Sequence, residues 1–372
     1  MPSPPSPVGL YVHVPFRRAP RPYDDAAYAM VSPAARHRYL SALETEAEVF
    51  AAPRLADRSV TSVHVGGGRP SLLPLSDLQR ILAILPVDSV SELTVEVSPA
   101  DASAEYMDGL ADLGATRVCV EGLSFSTAAL HSLDAPAPVD AVEATIERAK
   151  LTEIHSLALD LVFGMEGLST QTWTETLRRA VALDLPHLSI AEAPSPASAN
   201  EGADQMERAL SLLTDAGYEH YSLTHFAQPG HRSAHQVHYD RHGSVLGLGP
   251  SAASLWWTQP SPPRAERWSN VEDLDAYVRR LRQNKLPATN QETLSAHALG
   301  RDYILLRLRT RDGLDLGVLR NSYGVRLSAA AEALVDRLRA EGLAVDAPNR
   351  VRLTPRGRLL TDAITRRLLS SL

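Results

Sequence analysis

Near its N-terminus the chain reads Leu10-Tyr11-Val12-His13-Val14-Pro15-Phe16 and continues as Arg17-Arg18-Ala19-Pro20-Arg21-Pro22-Tyr23-Asp24-Asp25. The first stretch is a strand candidate, and the prolines after it predict a loop. Arg17, Arg21 and Asp24 give this loop two guanidinium groups and a carboxylate, but the loop contains no thiol. Because a guanidinium has no lone pair to offer a metal ion, this loop lacks the ligands of a thiolate-based site.

Length and composition are those of an ordinary globular protein. The 372 residues favour two or more domains, and 44% hydrophobic with 22% charged residues allows a large core. The net charge of -7 argues against a dedicated nucleic-acid binder. Since the sequence lacks an apolar run of 18 residues, we expect no membrane span and a cytoplasmic location. The proline-rich residues 1–8 lack the features of a signal peptide and are expected to form a disordered leader.

The sequence contains a single cysteine, Cys119. It therefore excludes disulfides within the chain and any metal site built from several thiolates. Cys119 lies in the predicted strand Arg117–Glu121, where it is either a small buried core residue or a reactive thiol. The first interpretation is the ordinary one for a lone cysteine in an apolar strand.

Residues 9–255 alternate strand and helix patterns, which predicts parallel βαβ units and an α/β fold. The expected architecture is an incomplete (β/α) barrel. Predicted strands are Gly9–Val14, Ser59–Val65, Glu92–Val97, Arg117–Glu121, Ser156–Leu161 and His187–Ile190, with a seventh at His220–Thr224. Predicted helices are Ala34–Phe50, Leu75–Ile84, Ala104–Leu113, Val139–Lys150, Thr170–Leu183 and Asp204–Ala216.

The last third of the chain departs from this alternation. Residues 256–290 begin with a proline-rich stretch and are expected to form a linker. Residues 291–372 read as helices, a short hairpin with its turn at Asp346–Arg350, and a last helix. This order predicts a small winged-helix-like C-terminal domain.

Several motifs follow one another in an order that belongs to a known family. They are Gly66-Gly67-Gly68-Arg69-Pro70, Glu96-Val97-Ser98-Pro99, Glu121-Gly122-Leu123-Ser124-Phe125, Asp160-Leu161-Val162-Phe163-Gly164, Tyr218–Gly230 and Leu246-Gly247-Leu248-Gly249-Pro250. From about residue 9 to 367 the chain resembles the radical SAM heme chaperones (HemW) and oxygen-independent coproporphyrinogen III oxidases. Its length and C-terminal module are more similar to the HemW branch. The resemblance implies a radical SAM-type barrel.

In that family three cysteines hold a 4Fe–4S cluster that chelates S-adenosylmethionine (SAM), and their positions fall here on Arg17, Arg21 and Asp24. The resemblance assigns a vestigial SAM pocket to Tyr11, Gly66, Gly67, Gly68, Glu96 and Asp160. Two further polar contacts of the family, a glutamine and an arginine, are replaced by Leu123 and Ala135. We therefore expect neither cluster nor SAM, no catalytic residue and no metal site.

The family's heme chaperones carry a His-Asn-x-x-Tyr-Trp motif, and this chain has His235-Gln236-Val237-His238-Tyr239-Asp240. The resemblance makes His235 and His238 candidate heme ligands, because histidine is a common axial ligand of heme iron. A solvated polar loop is the alternative interpretation, and both stay open at this point.

The arginines near the lost cluster also have two interpretations. Arg17 and Arg21, with Asp24, fill the emptied cavity through ion pairs, or Arg17, Arg18, Arg21 and Arg69 form an anion site at the mouth of the barrel. Arginine suits phosphate and carboxylate groups, including heme propionates.

Three functions follow from these observations. The first is a heme chaperone-like pseudoenzyme that binds heme or another tetrapyrrole and passes it to an acceptor protein. The second is an active coproporphyrinogen III dehydrogenase of the radical SAM type, against which the missing cysteines argue. The third is a binding module that uses the arginines of the winged helix on a protein or nucleic acid. The sequence does not identify a client protein.

Overall fold

The computed structural model describes residues 7–18, 28–87, 90–133, 135, 137–165, 167–193 and 199–372. Arg21 and Asp24, and almost all of the expected leader, lie outside the described residues. The leader was expected to reach residue 8, but Val8 is already the fully buried first residue of a strand.

The first half of the chain alternates strands with helices, as the sequence predicts. The strands are β1 Val8–Val14, β2 Phe16–Arg17, β3 Ala29–Met30, β4 Val60–Gly67, β5 Glu92–Val97, β6 Arg117–Leu123, β7 Ser156–Phe163 and β8 His187–Glu192. The helices are α1 Pro33–Glu46, α2 Ala52–Leu55, α3 Leu75–Ala83, α4 Ala104–Asp112, α5 Thr127–Ser132, α6 Val139–Lys150, α7 Thr170–Ala182 and α8 Ala199–Asp215.

The region that follows completes the main sheet. It consists of β9 Glu219–Ser222, β10 His225–Ala227, α9 Ala234–Asp240, β11 Ser244–Leu248, β12 Ala253–Pro260, β13 Pro263–Asn270, α10 Leu274–Arg282 and β14 Ala288–Leu294. The seventh predicted strand is found as the antiparallel pair β9 and β10.

Among the described residues the main sheet has twelve strands in the order β14-β13-β12-β11-β1-β4-β5-β6-β7-β8-β10-β9. Neighbouring strands from β11 through β1 and β4 to β8 pair in parallel, and the strands at both ends of the sheet are antiparallel. This mixed α/β sheet confirms the predicted fold class.

The linker prediction is wrong for residues 256–290. Instead of a free connection, this segment contains most of β12, then β13, α10 and the start of β14, all attached to the edge of the main sheet. Trp256 and Trp268 are buried and belong to the main core. The prolines that suggested a linker lie at the turn between β12 and β13 and beside α10, where a strand or helix ends.

The C-terminal segments form a winged-helix-like unit. They are α11 Ala296–Leu308, β15 Leu314–Asp315, α12 Leu316–Tyr323, α13 Ala329–Ala340, β16 Ala344–Val345, β17 Arg350–Leu353, α14 Pro355–Arg358 and α15 Thr361–Ser370. Three short strands pair in the order β15-β17-β16 beside these helices, which have a hydrophobic core of their own. The hairpin turn falls at residues 346–349, close to its predicted place. None of the described helices has the length and hydropathy needed to cross a membrane.

Alternation along the parallel strands decides where the cavity lies. On β1, Leu10, Val12 and Val14 are fully buried in the core, while Tyr11 and His13 point to the opposite face. On β5, Val95 lies in the core and Glu96 faces inward. Side chains of a strand alternate between the two faces of a sheet. Barrels of this type usually fill the interior with branched apolar residues. The inner face of this sheet carries polar side chains instead, which indicates a ligand site.

A buried carboxylate, Glu46 of α1, connects the outer helices to the end of β11. It accepts hydrogen bonds from the Gly249 N–H (2.8 Å), the Asn270 side-chain amide (2.6 Å) and the Tyr277 hydroxyl (2.5 Å). Burial raises the pKa of Glu46 to about 7, although the three hydrogen bonds favour the charged form.

The pKa of Glu46 predicts a pH-dependent contribution to stability. The folded pKa lies above that of the unfolded chain, so the native state keeps a proton that the unfolded state loses as the pH rises. The free energy of unfolding, measured by urea denaturation, should therefore fall in the parent relative to Glu46→Gln between pH 5 and pH 8, by about 2 kcal/mol. Parallel pH profiles for the two proteins would contradict this assignment.

Candidate functional site

The inner face of the sheet encloses a cavity of about 510 Å³. That size lies within the range of small-molecule sites, roughly 300–1,000 Å³. In the described part of the chain five histidines line it: His13, His64, His187, His225 and His235. Of these five, only His235 was predicted from a sequence motif. The other four lie on different strands and come together only when the strands pair.

The floor of the cavity is the short helix α9, which a buried carboxylate holds in place. Glu92, at the start of β5, accepts hydrogen bonds from the Ser233 hydroxyl (2.8 Å), the Ala234 N–H (2.8 Å) and the His235 N–H (3.0 Å). A carboxylate is stabilised at a helix N-terminus by the unpaired N–H groups there. Glu92 therefore fixes the position of His235, and the sequence analysis did not identify this role.

The structure separates the two candidate heme ligands. His235 lines the inner cavity, and its Nδ1 lies 3.0 Å from the Ser62 hydroxyl. His238 borders a different groove of about 610 Å³ on the outer side of α9, and its Nε2 donates to the Ser244 carbonyl at 2.7 Å. The expected loop is a helix, on which a three-residue spacing makes the two rings neighbours, and both lie against Gly9 although they border different cavities.

At the upper end of the cavity the three glycines pack against the side chains of the expected SAM pocket. The Gly67 N–H donates to Glu96 at 3.1 Å, and Glu96 also contacts the His64 ring at 2.8 Å. A Cβ on Gly66 would lie 2.5 Å from the Glu96 carboxylate, and one on Gly67, whose φ is +105°, would lie 2.6 Å from His13. Glycine is required here because the chain's own side chains take up the space.

Tyr11 and Asp160 complete this upper end. The Tyr11 hydroxyl lies 3.1 Å from His13 Nδ1, and Asp160 receives a hydrogen bond from the Cys119 thiol at 3.5 Å. Burial, with a further contribution from Glu96, raises the pKa of Asp160 to about 7. Burial also raises the pKa of the Cys119 thiol well above its ordinary value, and nearby Asp160 adds to this rise. Four of the predicted pocket residues, Gly67, Gly68, Glu96 and Asp160, line a smaller cavity of about 130 Å³ together with Arg17 and Arg69. Tyr11 lines the larger cavity instead.

One carboxylate engages two of the four arginines assigned to an anion site. Asp101 accepts from Arg69 at 2.5 Å and from Arg18 at 3.2 Å, and the Ser71 hydroxyl donates to it as well. Arg69 is buried, with 5% of its surface exposed, and also donates to Ser98. Arg17 is buried and lies over the Tyr28 ring. Asp101 weakens the anion-site interpretation, because it supplies the negative charge that Arg18 and Arg69 would otherwise seek from a ligand.

Similarity to known proteins agrees with this architecture. Residues 294–360 match the family model of the HemN C-terminal domain. The heme chaperone HemW of Mycobacterium tuberculosis strain H37Rv is 30% identical over 397 residues, which cover 99% of this chain and 96% of the relative. This chain belongs to the HemW heme chaperone family. The HemW of Bacillus subtilis is 23% identical, over 95% of this chain and 97% of the relative.

A solved structure shows the same fold as this HemW family member. The coproporphyrinogen III oxidase HemN from Escherichia coli, described as a radical SAM enzyme, superimposes with a TM-score of 0.84 at 22% identity. The match covers 100% of this chain and 92% of HemN. The predicted radical SAM-type barrel with a HemN-type C-terminal domain is thereby confirmed.

The residues present do not fit the cluster that this fold holds elsewhere. The first cysteine position carries Arg17, and the sole cysteine of the sequence, Cys119, lies on β6 with a protonated thiol bonded to Asp160. Iron–sulfur clusters need thiolate ligands. Leu123, at the place of the family's glutamine, has a positive φ of 60° and is buried in the core with 5% exposed. Its side chain offers no polar atom to SAM.

The winged-helix arginines are not a continuous basic surface. Arg352, Arg356, Arg366 and Arg367 are exposed, but Arg358 is buried and donates to the His220 carbonyl of β9. Arg358 thus connects the C-terminal unit to the edge of the main sheet, and it is not available to a nucleic acid.

The state of Cys119 is directly testable. Because burial keeps this thiol protonated and inaccessible, we expect an aromatic disulfide reagent at pH 8 to modify it at least 100-fold more slowly in the native protein than in urea. The release of the coloured thiolate reports the rate, and the single cysteine makes it unambiguous. Equal rates would show a reactive thiol.

Proposed function

We propose that this protein is a heme-binding chaperone that holds heme in its inner cavity and works without radical SAM chemistry. The observation that carries the proposal is His235, which lines a cavity of ligand size from a helix fixed by Glu92. The relatives named heme chaperones cover the chain almost from end to end. Transfer of heme to an acceptor protein is part of the proposal.

The chemistry of His235 suits an iron ligand. Metal binding requires a neutral imidazole, and burial lowers the pKa of His235 to about 3. Its Nδ1 lies within hydrogen-bond distance of Ser62, which leaves Nε2 for the metal. A hydrogen bond to the second ring nitrogen of a ligating histidine orients the ring.

His238 is the weaker candidate. Its Nε2 is already bonded to the Ser244 carbonyl, and Gly243 leaves no space on that side, since a Cβ there would lie 2.3 Å from the ring. Both rings lie against Gly9, but His238 borders the outer groove and not the cavity that His235 lines. His238 therefore has a structural role in closing the turn after α9.

Heme titrations followed by the Soret band test this assignment. We expect His235→Ala to weaken heme binding at least tenfold and to change the band, because the iron loses its axial ligand. His238→Ala and the exposed control His297→Ala should retain the parent affinity. A loss in His238→Ala with an unchanged His235→Ala would move the site to the outer groove.

The absence of a cluster belongs to the same proposal. It is supported by the lost thiolate positions, by the buried Arg17 at the first of them, and by Leu123 and Ala135 in place of polar groups. Guanidinium groups have no lone pair to offer, so they cannot replace soft thiolates as ligands of iron.

Iron and sulfide analysis after anaerobic reconstitution tests this part. The parent should retain well below one iron per chain, whereas a bound cluster would give roughly four. The matched variant combines Arg17→Cys, Arg21→Cys and Asp24→Cys, and it shows whether thiolates alone restore cluster assembly. Stoichiometric iron and sulfide in the parent would overturn the proposal of a chaperone without a cluster.

A further inference from the structure

Arg117 places a buried positive charge in the inner cavity without a carboxylate partner in the described part of the chain. It is the first residue of β6, lines the cavity and has only 3% of its surface exposed. Its guanidinium donates to the Ser156 hydroxyl at 2.8 Å, which is a neutral acceptor. Burying a charge costs several kcal/mol unless an opposite charge or several hydrogen bonds compensate it.

Two other buried arginines of this chain lie close to a carboxylate. Arg69 forms an ion pair with Asp101. Arg307 donates to two carbonyl groups and lies 3.5 Å from Asp312. Arg117 differs from them because it lines the cavity and its hydrogen-bond partner is a neutral hydroxyl, so the compensating charge is expected from a ligand.

His187 contributes a second donor on the same floor. The Ser233 N–H donates to the Tyr221 oxygen at 3.4 Å, so the Tyr221 hydroxyl proton is free to point to His187 Nε2, 2.9 Å away. This hydrogen bond places the ring proton of the neutral histidine on Nδ1. Nδ1 is buried and has no hydrogen-bond partner among the described residues.

The strand register brings Arg117 and His187 to one region of the inner face. Arg117 pairs with Ser156 of β7, and His187 pairs with Ala158 of the same strand. The intervening strand thus carries two small side chains, and the two donors lie across it, roughly 12 Å apart at their Cα atoms. The carboxylates Glu96 and Asp160 lie at later positions of their strands, although Asp160 is close enough for Arg117 to offset part of the rise that burial causes in its pKa. Glu92, near the floor, is already occupied by the three hydrogen bonds it accepts from Ser233, Ala234 and His235.

We propose that Arg117 and His187 form a subsite for a carboxylate group of the ligand in the inner cavity. The planar guanidinium binds both oxygens of a carboxylate, and its single charge matches that group. This inference rests on the proposed function, since heme carries two propionates. It places a propionate at the floor of the cavity, far in the fold from the arginines that follow β1.

The experiment compares heme with heme dimethyl ester, whose propionates are neutral, in titrations of the full chain. The parent should bind heme at least tenfold more tightly than the ester. Arg117→Gln should lose this preference while retaining the affinity for the ester, and Arg117→Lys should keep part of it. His187→Phe should reduce the preference, and the exposed control Arg279→Gln should leave it unchanged.

The outcomes separate the two proposals. If the parent binds heme and ester equally, the carboxylate subsite is overturned, while heme binding through His235 stands. If the parent binds neither compound, both proposals fail. Ester binding by Arg117→Gln shows that the cavity of this variant is intact. If the variant does not fold, the comparison of heme with its ester in the parent still tests the carboxylate subsite.

Discussion

The carboxylate of Glu92 holds the site together, because it fixes the start of the helix that carries His235. Helix α9 has only seven residues, a length at which an isolated helix does not form in water. Glu92 accepts hydrogen bonds from the two first N–H groups of α9 and from the hydroxyl of its N-cap residue, Ser233. By anchoring α9 across the open end of the sheet, it closes the cavity and aims His235 into it. Ser233 also donates to Tyr221, so the same anchor sets the proton position on His187.

The charged side chains that line the large cavity lie at different ends of it. The upper end holds Glu96 and Asp160, and the lower end holds Arg117. The histidines between them are kept neutral: burial, the largest cause, lowers the pKa of both His13 and His225 to about 4. Neutral imidazoles can accept or donate hydrogen bonds and can ligate a metal. Such an interior suits a large ligand with an acidic group at one end.

Contacts within the chain stabilise the barrel around both cavities. Gly66 and Gly67 pack against Glu96 and His13 at the upper end, and Asp101 forms ion pairs with Arg69 and Arg18. The Glu46 cluster, which joins α1, α10 and the loop after β11, lies outside both cavities and stabilises the barrel independently of any ligand. Each part of the fold therefore has a source of stability within the chain.

The sequence by itself determined the order of strands and helices, the α/β class, the C-terminal unit and the loss of thiolates, because these depend on local pattern or on residue type alone. It also indicated His235 through its motif. Only the tertiary structure separated His235 from His238: their three-residue spacing puts both rings on one face of α9, where both lie against Gly9, yet they border different cavities. The tertiary structure also showed that residues 256–290 form the edge of the sheet and not a linker. Burial of the tryptophans stabilises these strands, and the prolines are tolerated because they lie at turns. Glu92, Arg117 and His187 carry no local signal. Their roles arise from strand register and from burial, which bring distant residues into one cavity and leave a charge without its counter-ion.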